Sequence, residues 1–349
     1  MMEKIRKYQQ GDAPAIAHFM DKYFPRDERT IIKRSRSAEY YDWKFGPNPL
    51  GKSIMYLYLQ GNEILGTFGA IPDPLSIRNQ KVLAYQLVDA FVAPNLRGKG
   101  IFRKLADMVF GEVDTYSNIS FGMSPSDFSL PIFEKKYDMY VAPKYCQVFT
   151  PIRFDDILKA KGMGLISPLG SIVNPIKRLL FHITKKHIEE IINIPFHYYC
   201  TLLPEADFSL VRNEEYVSFR YILSPESYRF FIARDDIADV VIVIKFVKWR
   251  GIRLCYLVDV IGEPNTEDNP FFIIEALHEI GVKTGAALVS VELHDIKKDS
   301  SKFRRHGFLF HNREDCLFMR QTKWPFLDPS SNNYNPDRWV LFSGDADNI

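Results

Sequence analysis

Between Val88 and Phe102 the chain runs Val-Asp-Ala-Phe-Val-Ala-Pro-Asn-Leu-Arg-Gly-Lys-Gly-Ile-Phe, an apolar run that stops at Pro94, then a basic turn, then the start of an amphipathic segment. This order predicts a strand, a tight turn and a helix in direct succession. Glycines at 98 and 100 remove the Cβ atoms that would keep an anion away, so consecutive backbone N–H groups can converge on it. The positive end of the helix dipole near Ile101 adds to that attraction. Arg97, Lys99, Arg103 and Lys104 add charge suited to a ligand with several phosphates. The turn lacks the Lys-Ser/Thr ending of a P-loop and the three spaced glycines of the dinucleotide fingerprint.

What surrounds that turn sets its scale. A chain of 349 residues fits two units of ordinary size, and 46% hydrophobic residues supply sizeable cores. The net charge of +2 argues against a dedicated nucleic-acid binder. Cys146, Cys200, Cys255 and Cys316 are scattered, with no Cys-x-x-Cys pair, so free thiols in a reducing compartment are expected. The start of the chain carries no apolar segment, no run approaches a membrane span, and a cytoplasmic location follows as the expectation. The eight histidines show no His-x-x-x-His spacing, and no metal site is expected.

Secondary-structure patterning extends around the turn. Asp12-Ala13-Pro14 opens a helix with Ile16, Phe19, Met20 and Tyr23 on one face; 54–59 and 64–71 alternate as a hairpin; 82–92 is a long strand. A helix over 101–116, a strand over 119–123, a short helix over 128–136 and a strand over 139–151 complete the unit.

The turn, written Asn95-Leu96-Arg97-Gly98-Lys99-Gly100 after Val92-Ala93-Pro94, resembles motif A of the GCN5-related N-acetyltransferases (GNAT), Gln/Arg-x-x-Gly-x-Gly/Ala, with Asn95 departing from it. The element order over about 1–150 is also similar to that fold. The second half repeats the first. Glu39-Tyr40, Trp43-Lys44-Phe45 and Pro49 return 176 residues later as Glu215-Tyr216, Phe219-Arg220-Tyr221 and Pro225. Leu87-Val88-Asp89 and Phe133 return 170 residues later as Leu257-Val258-Asp259 and Phe303. Such constant offsets are the mark of a duplication. The phosphate turn does not return, since Gly262 to Asn269 carries three carboxylates instead.

The expected fold class is therefore a mixed α/β sheet, two tandem GNAT folds with the second degenerate. Its divisions are 1–151, a connector over 152–207, 208–325 and a tail over 326–349. Within the connector, Ile176 through Ile192 reads as a basic amphipathic helix, of the kind that can sit on a membrane surface but more often joins domains with its polar face solvated.

The resemblance implies acetyl-CoA as co-substrate and transfer of its acetyl group to a small-molecule amine. Backbone groups near Val92 and Ala93 would pair with the pantetheine arm, and Arg97, Gly98, Lys99, Gly100, Ile101 and Phe102 would hold the pyrophosphate. Acyl transfer further needs a base for the ammonium and an acid for the departing thiolate. The family's strand-borne base matches Gln86, which cannot serve as one. Asp89 is the nearest carboxylate, although its recurrence as Asp259 favours a structural role. Phe133 stands at the family's Tyr acid, leaving Tyr137 or Tyr140 as substitutes. The ending Arg338-Trp339 through Gly344-Asp345-Ala346-Asp347 resembles that of tandem-domain bacterial acetyltransferases of polysaccharide synthesis. It makes the Ile349 carboxylate, Asp345 or Asp347 a further base candidate and an amino sugar, nucleotide-linked or free, the preferred acceptor. A non-catalytic acyl-CoA-binding scaffold and a peptidyl or aminoacyl transferase of the cell-wall bridge type are the alternatives.

Overall fold

The computed structural model describes residues 3–24, 36–123, 126, 128–180, 186–199, 208–236, 238–262, 269–294, 304, 309–322 and 339–340. The first half contains β1 (Glu3–Lys7), α1 (Ala13–Tyr23), α2 (Ala38–Phe45), β2 (Ile54–Gln60), β3 (Glu63–Ile77), β4 (Gln80–Val92), α3 (Ile101–Tyr116), β5 (Ile119–Met123), α4 (Leu130–Tyr137) and β6 (Tyr140–Pro151). Two connector helices follow, α5 (Phe154–Ala160) and α6 (Ser167–Leu180). The second half adds β7 (His187–Ile191), β8 (Phe208–Leu210), α7 (Glu214–Val217) with a π-helical turn over Ser218–Ile222, β9 (Arg229–Arg234), β10 (Asp239–Trp249), β11 (Ile252–Ile261), α8 (Asn269–Thr284), β12 (Leu288–His294), β13 (Leu309–Gln321) and β14 (Trp339–Val340).

Local chemistry repeats at the offset seen in the sequence. Ser37 accepts the N–H of Tyr40 to cap α2, and Asn213, 176 residues later, accepts the N–H of Tyr216 to cap α7. α2 and the π-helical turn after α7 each carry an aromatic-basic-aromatic triplet, and the two triplets meet. The Trp43 ring stacks on Phe219 at 5.0 Å, and its Nε1 donates to the Phe219 carbonyl at 3.1 Å.

All the main strands belong to one sheet, ordered β1-β2-β3-β4-β5-β13-β6-β12-β11-β10-β9-β7. The order is a palindrome of equivalent strands about the antiparallel β13–β6 pair, which is the pattern of a pseudo-twofold axis. Each half's last strand lies inside the other's sheet: β13 separates β5 from β6, and β6 separates β13 from β12. The expected boundary at 151 is therefore crossed by hydrogen bonding, and one core of β3, β5, α7, β10, β11 and β13 side chains spans both halves.

Two expectations for the connector are corrected. The basic stretch is not one helix to Ile192: α6 ends at Leu180, and 187–191 forms β7, the edge strand on β9. A second-half strand thus begins before 208. The physical reason is that only Ile188 of this short segment is buried, a strand-like pattern that pairing with β9 satisfies.

Candidate active site

The site is a place where neighbouring parallel strands part. β4 and β5 pair only at Tyr85–Ser120 and Gln86–Phe121, after which β4 runs on to Val92 and β5 to Met123 without further pairing. A bulge marks the divergence. The β3–β4 register shifts between Thr67 and Gly69, and Asp89 adopts φ +49°, a conformation uncommon outside glycine. The side-chain alternation of a regular strand therefore fails there, and adjacent Leu87 and Val88 both enter the first-half core.

Asp89 is held by two contacts. Thr67 Oγ1 donates to its carbonyl at 2.7 Å, and Lys44 Nζ donates to its carboxylate at 2.5 Å with both side chains buried. Lys44 comes from α2 and lies against the Tyr40 and Phe45 rings. In the second half Asp259 sits equivalently at a β11 bulge, but its partners are Arg212 at 2.7 Å and the Tyr221 hydroxyl at 2.7 Å. Lys44 was legible only as part of a repeated triplet; nothing in the sequence linked it to a carboxylate 45 residues away.

Beyond the bulge the backbone is sorted by direction. Ala93 N–H donates to the Leu65 carbonyl at 2.9 Å, which makes Gly66–Val92 a non-hydrogen-bonded pair in which the Val92 N–H and C=O point away from β3. Val92 thus offers its amide to the opening, whereas the Ala93 N–H is already used. The opening is accessible here, with Ala90 and Phe91 half-buried. The matching divergence of β11 from β12 after Tyr256 is sealed, Leu257 to Ile261 being buried throughout.

Pro94–Leu96 forms a single 3-10 turn, and Gly98 and Gly100 take φ of +77° and +76°. Nothing lies within 4 Å of where their Cβ atoms would be, so the space over the turn is open. Gly100 is the N-cap of α3, no side chain caps that end, and its first turn has no acidic residue. The first-turn N–H groups from Ile101 onward have no acceptor within the helix. Exposed Arg97, Lys99, Arg103 and Lys104 surround them, an arrangement of like charge that favours an anion.

The other candidates lie as follows. Gln86 is buried at the last paired position of β4. Tyr137 stacks on Phe110 at 4.3 Å, and its hydroxyl donates to Asp107 at 2.7 Å. Burial, then the Asp107 hydrogen bond, raises the pKa of that hydroxyl well above the ordinary tyrosine value. Phe133 is buried among Phe68, Phe102 and Phe110. Ile349, Asp345, Asp347 and the carboxylates of 263–268 lie outside the described residues. Trp339 and Val340, however, pair with β8, which pairs with Leu75–Ile77 of β3. The C-terminal segment therefore enters the first half. No group of metal-ligating side chains occurs among the described residues. A separate cleft of about 510 Å3 lies between the α2–β2 loop and α3. There Glu112 accepts Lys7, Lys52 and Tyr56, each at 2.9 Å.

The family "Acetyltransferase (GNAT) domain" matches residues 4–136. Residues 4–136 thus match a GNAT acetyltransferase domain. Its fold is also similar to that of a GCN5-related N-acetyltransferase from Anabaena variabilis, at 14% identity and TM-score 0.58 over 92% of this chain and 73% of that one. Saccharomyces cerevisiae N-myristoyltransferase with bound myristoyl-CoA is similar at 10% identity and TM-score 0.62, over 98% and 90%. A probable N-acyltransferase from Enterococcus faecalis is similar at 10% identity and TM-score 0.59, over 93% and 73%. No curated protein matches the sequence. In this GNAT domain the parted strands and the glycine turn come from the same half, and the second half keeps the architecture with its gap closed.

Proposed function

We propose that the protein is an acetyl-CoA-dependent N-acyltransferase whose first half holds the cofactor and whose second half shapes the acceptor side. The observation that carries this reading is the uncapped, acid-free N-terminus of α3 behind two positive-φ glycines with open space above them. The cofactor would supply the activated acyl group. Arg97 and Lys99 with the first-turn amides of α3 would hold its pyrophosphate, and the Val92 amide would align its pantetheine arm in the opening. At the other end of that opening, near Gln86, the acceptor amine would meet the thioester.

For the base we favour the C-terminus. β14 anchors the tail on β8, the neighbour of β3, and the nine residues from Leu341 to Ile349 can span ~30 Å when extended. Gln86 lies ~17 Å along β4 from Lys81, and Val340 lies ~14 Å from Lys81 across the Ser209 and Ser76 pairings, so an extended tail would reach it. An amino sugar remains our preferred acceptor, on the resemblance of the Arg338-Trp339 ending.

Calorimetry with acetyl-CoA tests the reading on wild type, on Gly98→Glu/Gly100→Glu and on a variant ending at Gly344. The first variant should lose binding while remaining folded by circular dichroism. The shortened protein should bind normally and fail to acetylate an amino-sugar panel. Absence of binding by folded wild type overturns the proposal; unimpaired turnover without residues 345–349 overturns the role of the tail. Binding without turnover on any amine would favour the scaffold alternative.

A further inference from the structure

The α5–α6 hairpin of the connector is packed with its polarity reversed. Ser167, Gly170 and Asn174 recur at helical spacing and form the face of α6 turned to α5. Ser167 and Gly170 are buried, and a Cβ at Gly170 would stand 2.4 Å from the Asp155 backbone nitrogen. Asn174 accepts the Phe154 N–H at 2.8 Å and donates to the Asp155 carboxylate at 2.9 Å, fixing α6 against the start of α5. What remains outside is apolar: Leu165 is 100% exposed, Leu169 and Ile172 60% each, and Met163, Ile166 and Val173 more than 40%. A surface helix ordinarily turns such residues inward. The small-residue face serves the close helix contact and leaves these apolar side chains outside.

The surrounding charge has one sign. From 157 to 185 the sequence has five basic residues, Lys159, Lys161, Lys177, Arg178 and Lys185, and no acidic one. Lys159 and Lys161 are exposed beside the apolar patch. Asp156, a near carboxylate, is held by Arg153 at 2.9 Å. No helix among the described residues is long and apolar enough to cross a membrane.

We propose that the turn at 163–166 and the outer face of α6 dock on an anionic lipid surface. The protruding apolar side chains would enter the acyl boundary, with Lys159 and Lys161 at headgroup level. Protruding apolar residues flanked only by positive charge suit an interface that is apolar inside and anionic at its rim.

Co-sedimentation of the full-length protein with phosphatidylcholine vesicles, with and without phosphatidylglycerol, tests this. Binding should require phosphatidylglycerol and weaken as salt is raised. Leu165→Glu/Leu169→Glu/Ile172→Glu should abolish it, and Lys159→Glu/Lys161→Glu should weaken it ~30-fold or more. Circular dichroism and acetyl-CoA binding of both variants should match wild type, separating docking from folding and from the cofactor site. Failure of folded wild type to bind anionic vesicles overturns the proposal, as does binding that neither variant changes. A wild-type dimer that the triple variant converts to monomer, without vesicle binding, would assign the patch to self-association instead.

Discussion

At the scale of single residues, the buried Lys44–Asp89 pair is the most consequential contact of the site. It joins α2 to the bulge from which β4 leaves β5, so helix position and strand divergence depend on one another. Removing one partner of such a pair strands a charge and typically costs about 3–5 kcal/mol, whereas removing both costs far less. Lys44→Met should therefore destabilise strongly in urea, with much of the loss recovered in Lys44→Met/Asp89→Asn. A single substitution as stable as wild type would show that the pair does not hold the bulge. The double variant also separates roles: turnover that survives it leaves Asp89 structural, as its recurrence in Asp259 implies, and turnover that disappears makes it the base.

Among elements, Glu112 is the tie between α3, β1 and β2. Burial opposes its ionisation, but hydrogen bonds from Lys7, Lys52 and Tyr56 outweigh this and hold its carboxyl below the usual glutamate range. A depressed folded pKa means the ionised form is preferred in the native state. Its contribution is complete above the unfolded value of about 4.3 and is lost as pH falls through the lower folded one. Glu112→Gln should accordingly lower stability at neutral pH and flatten the loss of stability below about pH 4.5. An unchanged acid limb in denaturant titrations would place the tie elsewhere. The elements themselves were largely legible. α3 and β5 occupy the expected bounds 101–116 and 119–123, because a buried face of Ile101, Leu105, Val109 and Val113 and a short apolar strand are local signals. The bulge at Asp89 was not legible, since a register shift depends on what the partner strand offers.

For the whole molecule, the exchange of β6 and β13 makes the halves one structural unit. A fragment 1–151 lacks β13, which would leave the facing edges of β5 and β6 unpaired and the core it shares with β10 and β11 open to water. Expressed alone, that fragment should aggregate or remain unfolded, and calorimetry of the full chain should show a single transition. A soluble fragment that still binds acetyl-CoA would contradict this.

The sequence by itself determined the glycine turn, the repeated motifs of the two halves and the order of elements in the first half. These rest on short-range chemistry, in which glycine conformation, periodicity and repeat offsets are written along the chain. Only the tertiary structure decided that the final strands trade places, that Lys44 answers Asp89, that one strand gap is open and its twin sealed, and that α6 faces outward with its apolar side. Those outcomes are set by which surfaces meet, and pairing between residues tens or hundreds of positions apart leaves no local pattern to read.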